Sequence, residues 1–335
     1  MVTPAGSLRI VFFGTPEFAV PTLAALLSSR HTVAGVVTQP DRPKGRGQRA
    51  QASPIKTLAS GHNVPVLQPD RLREPAFLEA LSALSADLGV VAAYGKILTD
   101  TVLQTPRLGL LNVHASLLPK YRGAAPIHRA VMAGETLTGV TIMRVVKALD
   151  AGPMLASVER PIGSDDTSVD VERDLAQLGA VALVATVDRL SAGGVVETPQ
   201  DESAATYAHK IQKSDGIVDW ASPAATIHNQ IRGLHPWPHA FTELEGARCV
   251  LLQSELDEKR GRVPFSEDMQ EKGTRPLFSP GTIVEAHGDT LRVQTGDGQL
   301  NILRLQLEGR RPLNAREFLA GHPIAPGTAF TRSTP

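Results

Sequence analysis

Asn112 and His114 sit two residues apart near the end of the apolar run GLLNVHA. In a strand, residues i and i+2 share a face, so both side chains point the same way. A histidine exchanges protons near neutral pH. An asparagine amide donates to an oxygen on which negative charge develops. Asparagine is poorly suited to a strand interior, and Ser116, Leu117, Leu118 and Pro119 follow at once as a polar turn. The pair therefore reads as functional, ahead of a buried histidine that merely bonds a carbonyl. Asp150 stands in KALDAGPML, between two strand-like runs. Asp-Ala-Gly-Pro is an ordinary turn sequence, and taken alone Asp150 reads as a turn residue. A carboxylate beside the histidine would hold its tautomer and favour its charged form, but spacing by itself does not pair the two.

Other chemistries find less support. GTPEF at Gly14–Phe18 could turn a strand into a helix whose N–H groups hold phosphate. The dinucleotide fingerprint needs three spaced glycines, and only Gly14 is present; no phosphate-loop Gly-Lys-Ser/Thr occurs either. Gly14 then simply makes the turn and Pro16 opens the helix. No Gly-x-Ser-x-Gly elbow is present. The ten histidines include no His-Glu-x-x-His motif of a zinc protease, and no metal is expected. One cysteine, Cys249, excludes an intramolecular disulfide and forms no structural zinc site by itself. The segment Gln39–Lys56 carries Arg42, Lys44, Arg46 and Arg49 among glycines and prolines. It is either a solvated loop or an arm that grips phosphates and orders on binding, and composition leaves both open.

The elements that must position these residues follow from the hydrophobic pattern. The chain has 335 residues, which favours two domains. Its first half alternates short apolar strands (LRIVFFG, TVAGVV, LGVVA, GLLNV) with helical patterns. That indicates an α/β fold, a Rossmann-like mainly parallel sheet covered on both faces. In such sheets the ligand crevice lies beyond the strand carboxyl ends, where Asn112 and His114 fall. A helix from Ser168 to Leu190 closes this half. The expected organisation is residues 1–190 as a catalytic domain, 191–207 as a linker and 208–335 as a small, OB-like β-barrel. Within the barrel, Asp257–Pro280 is charged and proline-bearing, and reads as a long exposed loop. Charge is balanced at 34 basic and 34 acidic residues, and splitting the chain after Tyr207 leaves both parts neutral. A nucleic-acid partner would have to be met by local patches. No run of eighteen apolar residues and no secretory leader is seen, so a cytoplasmic, membrane-free protein is expected.

The strings LNVHASLLPKYRGAAPI, LDAGP, FFGTPEFA and QPDRPKGRG together resemble the methionyl-tRNA formyltransferases, within the folate-dependent formyltransferase group. YAHKIQKSDGIVDW, LHPWPHAFT, TGDGQLNILRLQLEGRR and PGTAF extend the resemblance from about Leu8 to Phe330. It implies a donor, 10-formyltetrahydrofolate, and an acceptor, the α-amino group of methionine on initiator tRNA. It implies Asn112, His114 and Asp150 as the catalytic set, Ser116, Leu117, Leu118 and Pro119 along the folate site, and Arg42, Lys44 and Arg46 on an inserted loop that contacts tRNA. The second domain then binds tRNA as well, and a monomer is expected. The residues alone leave two rivals: formyl transfer to an amino sugar nucleotide or other small amine, and a non-catalytic RNA-binding protein. Two features depart from the family pattern, a longer Asp257–Pro280 stretch and a barrel of balanced charge.

Overall fold

The computed structural model describes residues 6–44, 49–256, 278–325 and 327–333. The chain divides into two compact units. One gathers the described residues of Met1–Pro126, Leu137–Pro161 and Val171–Ala208; the other gathers those of Ile127–Thr136, Ile162–Asp170 and His209–Pro335.

The first unit is built on β1 (Arg9–Gly14), β2 (Thr32–Val37), the short ribbon of β3 (Arg42–Lys44) with β4 (Arg49–Gln51), and β5 (Val66–Leu67). It continues with β6 (Leu88–Ala92), β7 (Leu110–His114), β8 (Arg122–Gly123), β9 (Leu137–Arg144), β10 (Met154–Pro161) and β11 (Tyr207–Ala208). Seven of these form one sheet in the order β10-β9-β7-β6-β1-β2-β5. β1 pairs parallel with β2 and β6, β2 with β5, and β6 with β7. β9 runs antiparallel between β7 and β10. The mainly parallel sheet expected from the sequence is present. Ile10 through Phe13 of β1 are fully buried, as a central strand covered on both faces requires.

The strand order reverses at β1, with β2 and β5 on one side and β6 and β7 on the other. That switch point opens a crevice at the carboxyl ends of β1 and β6. The Thr15 hydroxyl and the Gln39 amide both donate to the Tyr94 carbonyl, at 3.2 and 2.9 Å, tying the ends of β1, β2 and β6 together. Gly14 serves close packing here: a Cβ would lie 2.9 Å from the Ala19 Cβ and 3.1 Å from the Ala92 carbonyl.

Six α-helices accompany this part of the chain among the described residues. They are α1 (Val20–Leu27), α2 (Pro54–Gly61), α3 (Pro75–Ala83), α4 (Asp100–Gln104), α5 (Pro126–Met132) and α6 (Ser168–Ser191). α2 and α4 start at side-chain caps, with Ser53 accepting from the Lys56 amide and Thr99 from the Val102 amide. α2, α4 and α5 have five to eight residues, too few for the 3.6-residue period to stand out in the sequence.

The second unit holds α7 (Ala224–Gly233), α8 (Ala315–Gly321) and an antiparallel sheet. Its strands are β12 (Ala240–Leu244), β13 (Ala247–Leu256), β14 (Ile283–His287), β15 (Thr290–Gln294), β16 (Gln299–Leu307), β17 (Leu313–Asn314) and β18 (Phe330–Thr331). The order is β14-β15-β16-β13-β12-β18, with β17 on β16. An antiparallel bridge between Thr282 and Ala329 joins the two ends, so the sheet curls back on itself as a small barrel. Alternating residues of β13, β15 and β16 fill its interior with Cys249, Leu251, Leu291, Val293, Leu300, Ile302 and Leu305. Trp220 stacks on Phe330 with ring centroids 5.3 Å apart. Its Nε1 donates to the Thr242 hydroxyl at 3.0 Å, which in turn donates to the Thr331 carbonyl at 2.7 Å. Of the expected Asp257–Pro280 loop, residues 257–277 lie outside the described residues.

Candidate active site

β7 is an interior strand, with Asn112 opposite Val91 of β6 and Met143 of β9. Its backbone is fully engaged. Its half-buried side-chain amide has no hydrogen-bond partner among the described residues, although β-structure disfavours asparagine. His114 ends the same strand on the same face, and its side chain is 5% exposed. Nε2 donates to the Tyr121 carbonyl at 3.1 Å, which fixes the ring and its tautomer. Nδ1 then faces the Asp150 carboxylate, with Oδ2 at 3.7 Å. That distance is longer than a hydrogen bond and short enough for a strong charge interaction once the ring is protonated.

Burial pushes the His114 pKa below its ordinary value; Asp150 and the Tyr121 carbonyl pull it back only in part. The imidazole is therefore neutral near pH 7, a base with an anion beside its free nitrogen. This differs from the charged form that a neighbouring carboxylate would favour on its own.

Asp150 reaches this place through an unusual backbone. Its φ of 47° is left-handed, a conformation costly for a residue with a Cβ. Oδ2 accepts the Gly123 amide at 2.8 Å. Gly123 must be glycine: its φ is 119°, and a Cβ would lie 2.9 Å from the Ala208 carbonyl.

The turn around Asp150 is backed by residues that the sequence did not mark. The Gln200 Nε2 donates to the Asp150 carbonyl at 2.8 Å and to the Gly152 carbonyl at 2.7 Å. The Gln200 Oε1 accepts from Nε and Nη2 of Arg122, at 3.0 and 2.8 Å. Arg122 is 2% exposed and forms a two-pronged pair with Glu202 at 2.8 and 2.9 Å, which raises its pKa further. Part of the 191–207 stretch read as a linker packs against this site: Thr206 bonds Pro119, Tyr121 and Arg122, and β11 (Tyr207–Ala208) pairs with β8. An arginine in the KYRGAAP string and a glutamine in a polar stretch carried no signal of this partnership.

The Ser116–Pro119 segment follows His114 directly. The Ser116 hydroxyl is buried and donates to the Lys120 carbonyl at 2.6 Å, while the Ser116 carbonyl accepts from Thr141 at 2.7 Å. Leu118 is buried, and the Leu118–Pro119 peptide bond is cis. The segment therefore presents backbone and the half-buried Leu117, the serine hydroxyl being used within the turn. Arg42 and Lys44 fall on β3, opposite Gln51 and Arg49 of β4. Arg46 lies outside the described residues. The base of this ribbon is pinned by Asp41, which accepts from Lys56 at 2.6 Å and Gln68 at 2.7 Å.

A cavity of about 670 Å³ opens among the loops after β5, β6 and β9. Leu72 and Leu98 give it apolar walls, and Arg71, Arg73, Lys96 and Lys147 give it positive charge. Lys96 donates to the Pro69 and Asp70 carbonyls, both at 2.9 Å, and so joins two of the loops. Asn112, His114, Asp150 and Ser116–Pro119 do not line it. Among the described residues no group of three or more His, Cys, Asp or Glu side chains could hold a metal ion, and no helix is long and apolar enough to cross a membrane.

The chain belongs to the formyl transferases, whose two family models together span most of its length. The family model described as formyl transferase matches residues 8–187, and that of the formyl transferase C-terminal domain matches residues 210–323. Within that class, the chain belongs to the methionyl-tRNA formyltransferase family. It is 46% identical over 320 residues to the methionyl-tRNA formyltransferase of Trichlorobacter lovleyi, covering 96% of each chain. It is 48% identical over 306 residues to that of Stutzerimonas stutzeri, covering 91% of this chain and 92% of the relative. Among solved structures it resembles an N-formyltransferase from Helicobacter canadensis, solved with folinic acid and dTDP-3-aminofucose. The TM-score is 0.64 at 17% identity, over 88% of this chain and 98% of the other, a likeness of fold.

Proposed function

We propose that this chain transfers the formyl group of 10-formyltetrahydrofolate to the α-amino group of methionine on initiator tRNA, with Asn112, His114 and Asp150 as its catalytic residues. The observation that carries the reading is their convergence: an amide unpartnered among the described residues and a neutral buried imidazole share a strand end, and a carboxylate lies 3.7 Å from the free ring nitrogen. As the amine adds to the formyl carbon, Asn112 donates a hydrogen bond to the formyl oxygen, where negative charge develops. His114 takes at Nδ1 the proton that the new C–N bond releases, and Asp150 stabilises the imidazolium. His114 then returns that proton to the departing folate nitrogen as its bond to the formyl carbon breaks. The balance is one C–N bond formed, one broken and one proton moved.

The backbone of Ser116–Pro119 lines the donor's reactive end. Arg42 and Lys44 of β3, together with Arg46 and residues 208–335, bind the tRNA. The protein works as a monomer in the cytoplasm, a state that light scattering on the purified chain would check. The decisive test is formyl transfer from 10-formyltetrahydrofolate to initiator Met-tRNA, with and without His114→Ala, beside small-amine acceptors. Product with Met-tRNA alone, lost in the variant, is expected; transfer to small amines instead would overturn the acceptor.

A further inference from the structure

Asp150 lies in a turn whose backbone is costly to hold, and the turn's two carbonyls point at one amide. Carbonyls only accept, and the arginine guanidinium only donates. The Gln200 amide between them therefore has one orientation, Nε2 toward Asp150 and Gly152 and Oε1 toward Arg122. Arg122 is itself immobilised, buried and doubly bonded to Glu202. Its neighbour Gly123 grips the Asp150 carboxylate from the other side. Two consecutive residues of β8 thus hold both the backbone and the side chain of Asp150, one through Gln200 and one directly.

We propose that Gln200 is a positioning residue for formyl transfer: it fixes the turn that carries Asp150, and through it the carboxylate's place beside His114. The inference rests on the role of Asp150 given above. A bland alternative exists, in which Gln200 only completes the partners of a buried arginine. The two differ in which end of the amide matters. Gln200→Glu keeps the acceptor for Arg122 and removes the donor to Asp150 and Gly152. Gln200→Ala removes both, and Glu202 still pairs Arg122 in either variant.

The experiment measures kcat, both KM values and the pH profile of formyl transfer to Met-tRNA for the wild type, Gln200→Glu, Gln200→Ala and Asp150→Asn, with circular dichroism confirming each fold. Displaced support for a reacting group costs roughly 10- to 100-fold in turnover. Both Gln200 variants are expected to lose kcat by about that factor, with the KM for tRNA and for folate within about twofold of wild type. Their acid limb is expected to move to lower pH, because a displaced Asp150 supports the protonated ring less. Wild-type kcat in Gln200→Glu, with loss only in Gln200→Ala, would overturn the proposal in favour of the arginine-partner role. An inactive wild type, or an unaffected Asp150→Asn, would instead strike the reading of Asp150 itself.

Discussion

Replacing Asp150 by asparagine removes one charge and little else. The amide oxygen still accepts from the Gly123 N–H, so the turn keeps its carboxylate-side anchor. What is lost is the anion 3.7 Å from His114 Nδ1. At an effective dielectric of about 20, two unit charges at that separation attract by about 4 kcal/mol. Asp150 is 17% exposed, so water screens part of this. The attraction exists only while the ring carries the transferred proton, so its loss falls on the transition state. At 1.36 kcal/mol per decade, roughly two to three decades in kcat are expected. The same change lowers the His114 pKa further, since Asp150 is the larger of the two influences that raise it against burial. The base must be neutral to act, so the acid limb of kcat/KM moves to lower pH. Formyl transfer to Met-tRNA at saturating donor, followed from pH 5 to 9, reads both effects. A variant that folds normally, turns over within about threefold of wild type and keeps its acid limb would refute the electrostatic role assigned to the pair.

Other outcomes follow from the same geometry. Asn112→Ala is expected to lower kcat by roughly a hundred- to a thousandfold, the usual cost of an oxyanion donor, with an unchanged melting temperature. Gly123→Ala meets the Ala208 carbonyl and a φ of 119°. A cost of about 1–3 kcal/mol should appear as a melting temperature lower by roughly 3–10 °C, together with slower turnover as Asp150 loses its anchor. Burial holds His31, His114, His128 and His239 below their ordinary pKa of 6.5. The unfolded chain takes up more protons below that value, so stability is full above about pH 6.5 and is lost as the pH falls toward the folded-state values. Denaturation midpoints measured across that range should decline on acidification. Arg42→Ala should raise the KM for Met-tRNA far more than that for folate, and the tRNA KM of the wild type should climb with added salt; a salt-independent value would count against the ribbon as a phosphate contact.

Continuous apolar runs made the parallel sheet legible, because strands buried on both faces cannot alternate. Asn112 and His114 were legible for a related reason: a polar pair at the end of such a run has no role in packing. Asp150 looked like any turn residue, and its left-handed backbone and its approach to His114 come from contacts distant in sequence. Arg122 and Gln200 left no local trace either. Their partnership spans 78 positions and depends on β8 pairing with β11. The protonation state of His114 also needed coordinates, since the sequence supplies the neighbouring charge but not the burial that outweighs it. Short helices such as α2 and α4 were hidden because five to eight residues do not establish a helical period.

The return of residues 198–208 to the Asp150 turn has a consequence for how the enzyme is made. Asp150 leaves the ribosome fifty residues ahead of Gln200. At about 5–20 residues per second, roughly 3–10 s of synthesis separate them. Throughout that interval the growing chain already contains Asn112, His114 and Asp150, yet the turn holding the acid stands unbraced. The site is finished by the last stretch of its own unit rather than by the strands that bear its reactive groups. A chain halted at the end of α6 would carry the whole catalytic set and still lack the brace that aligns it.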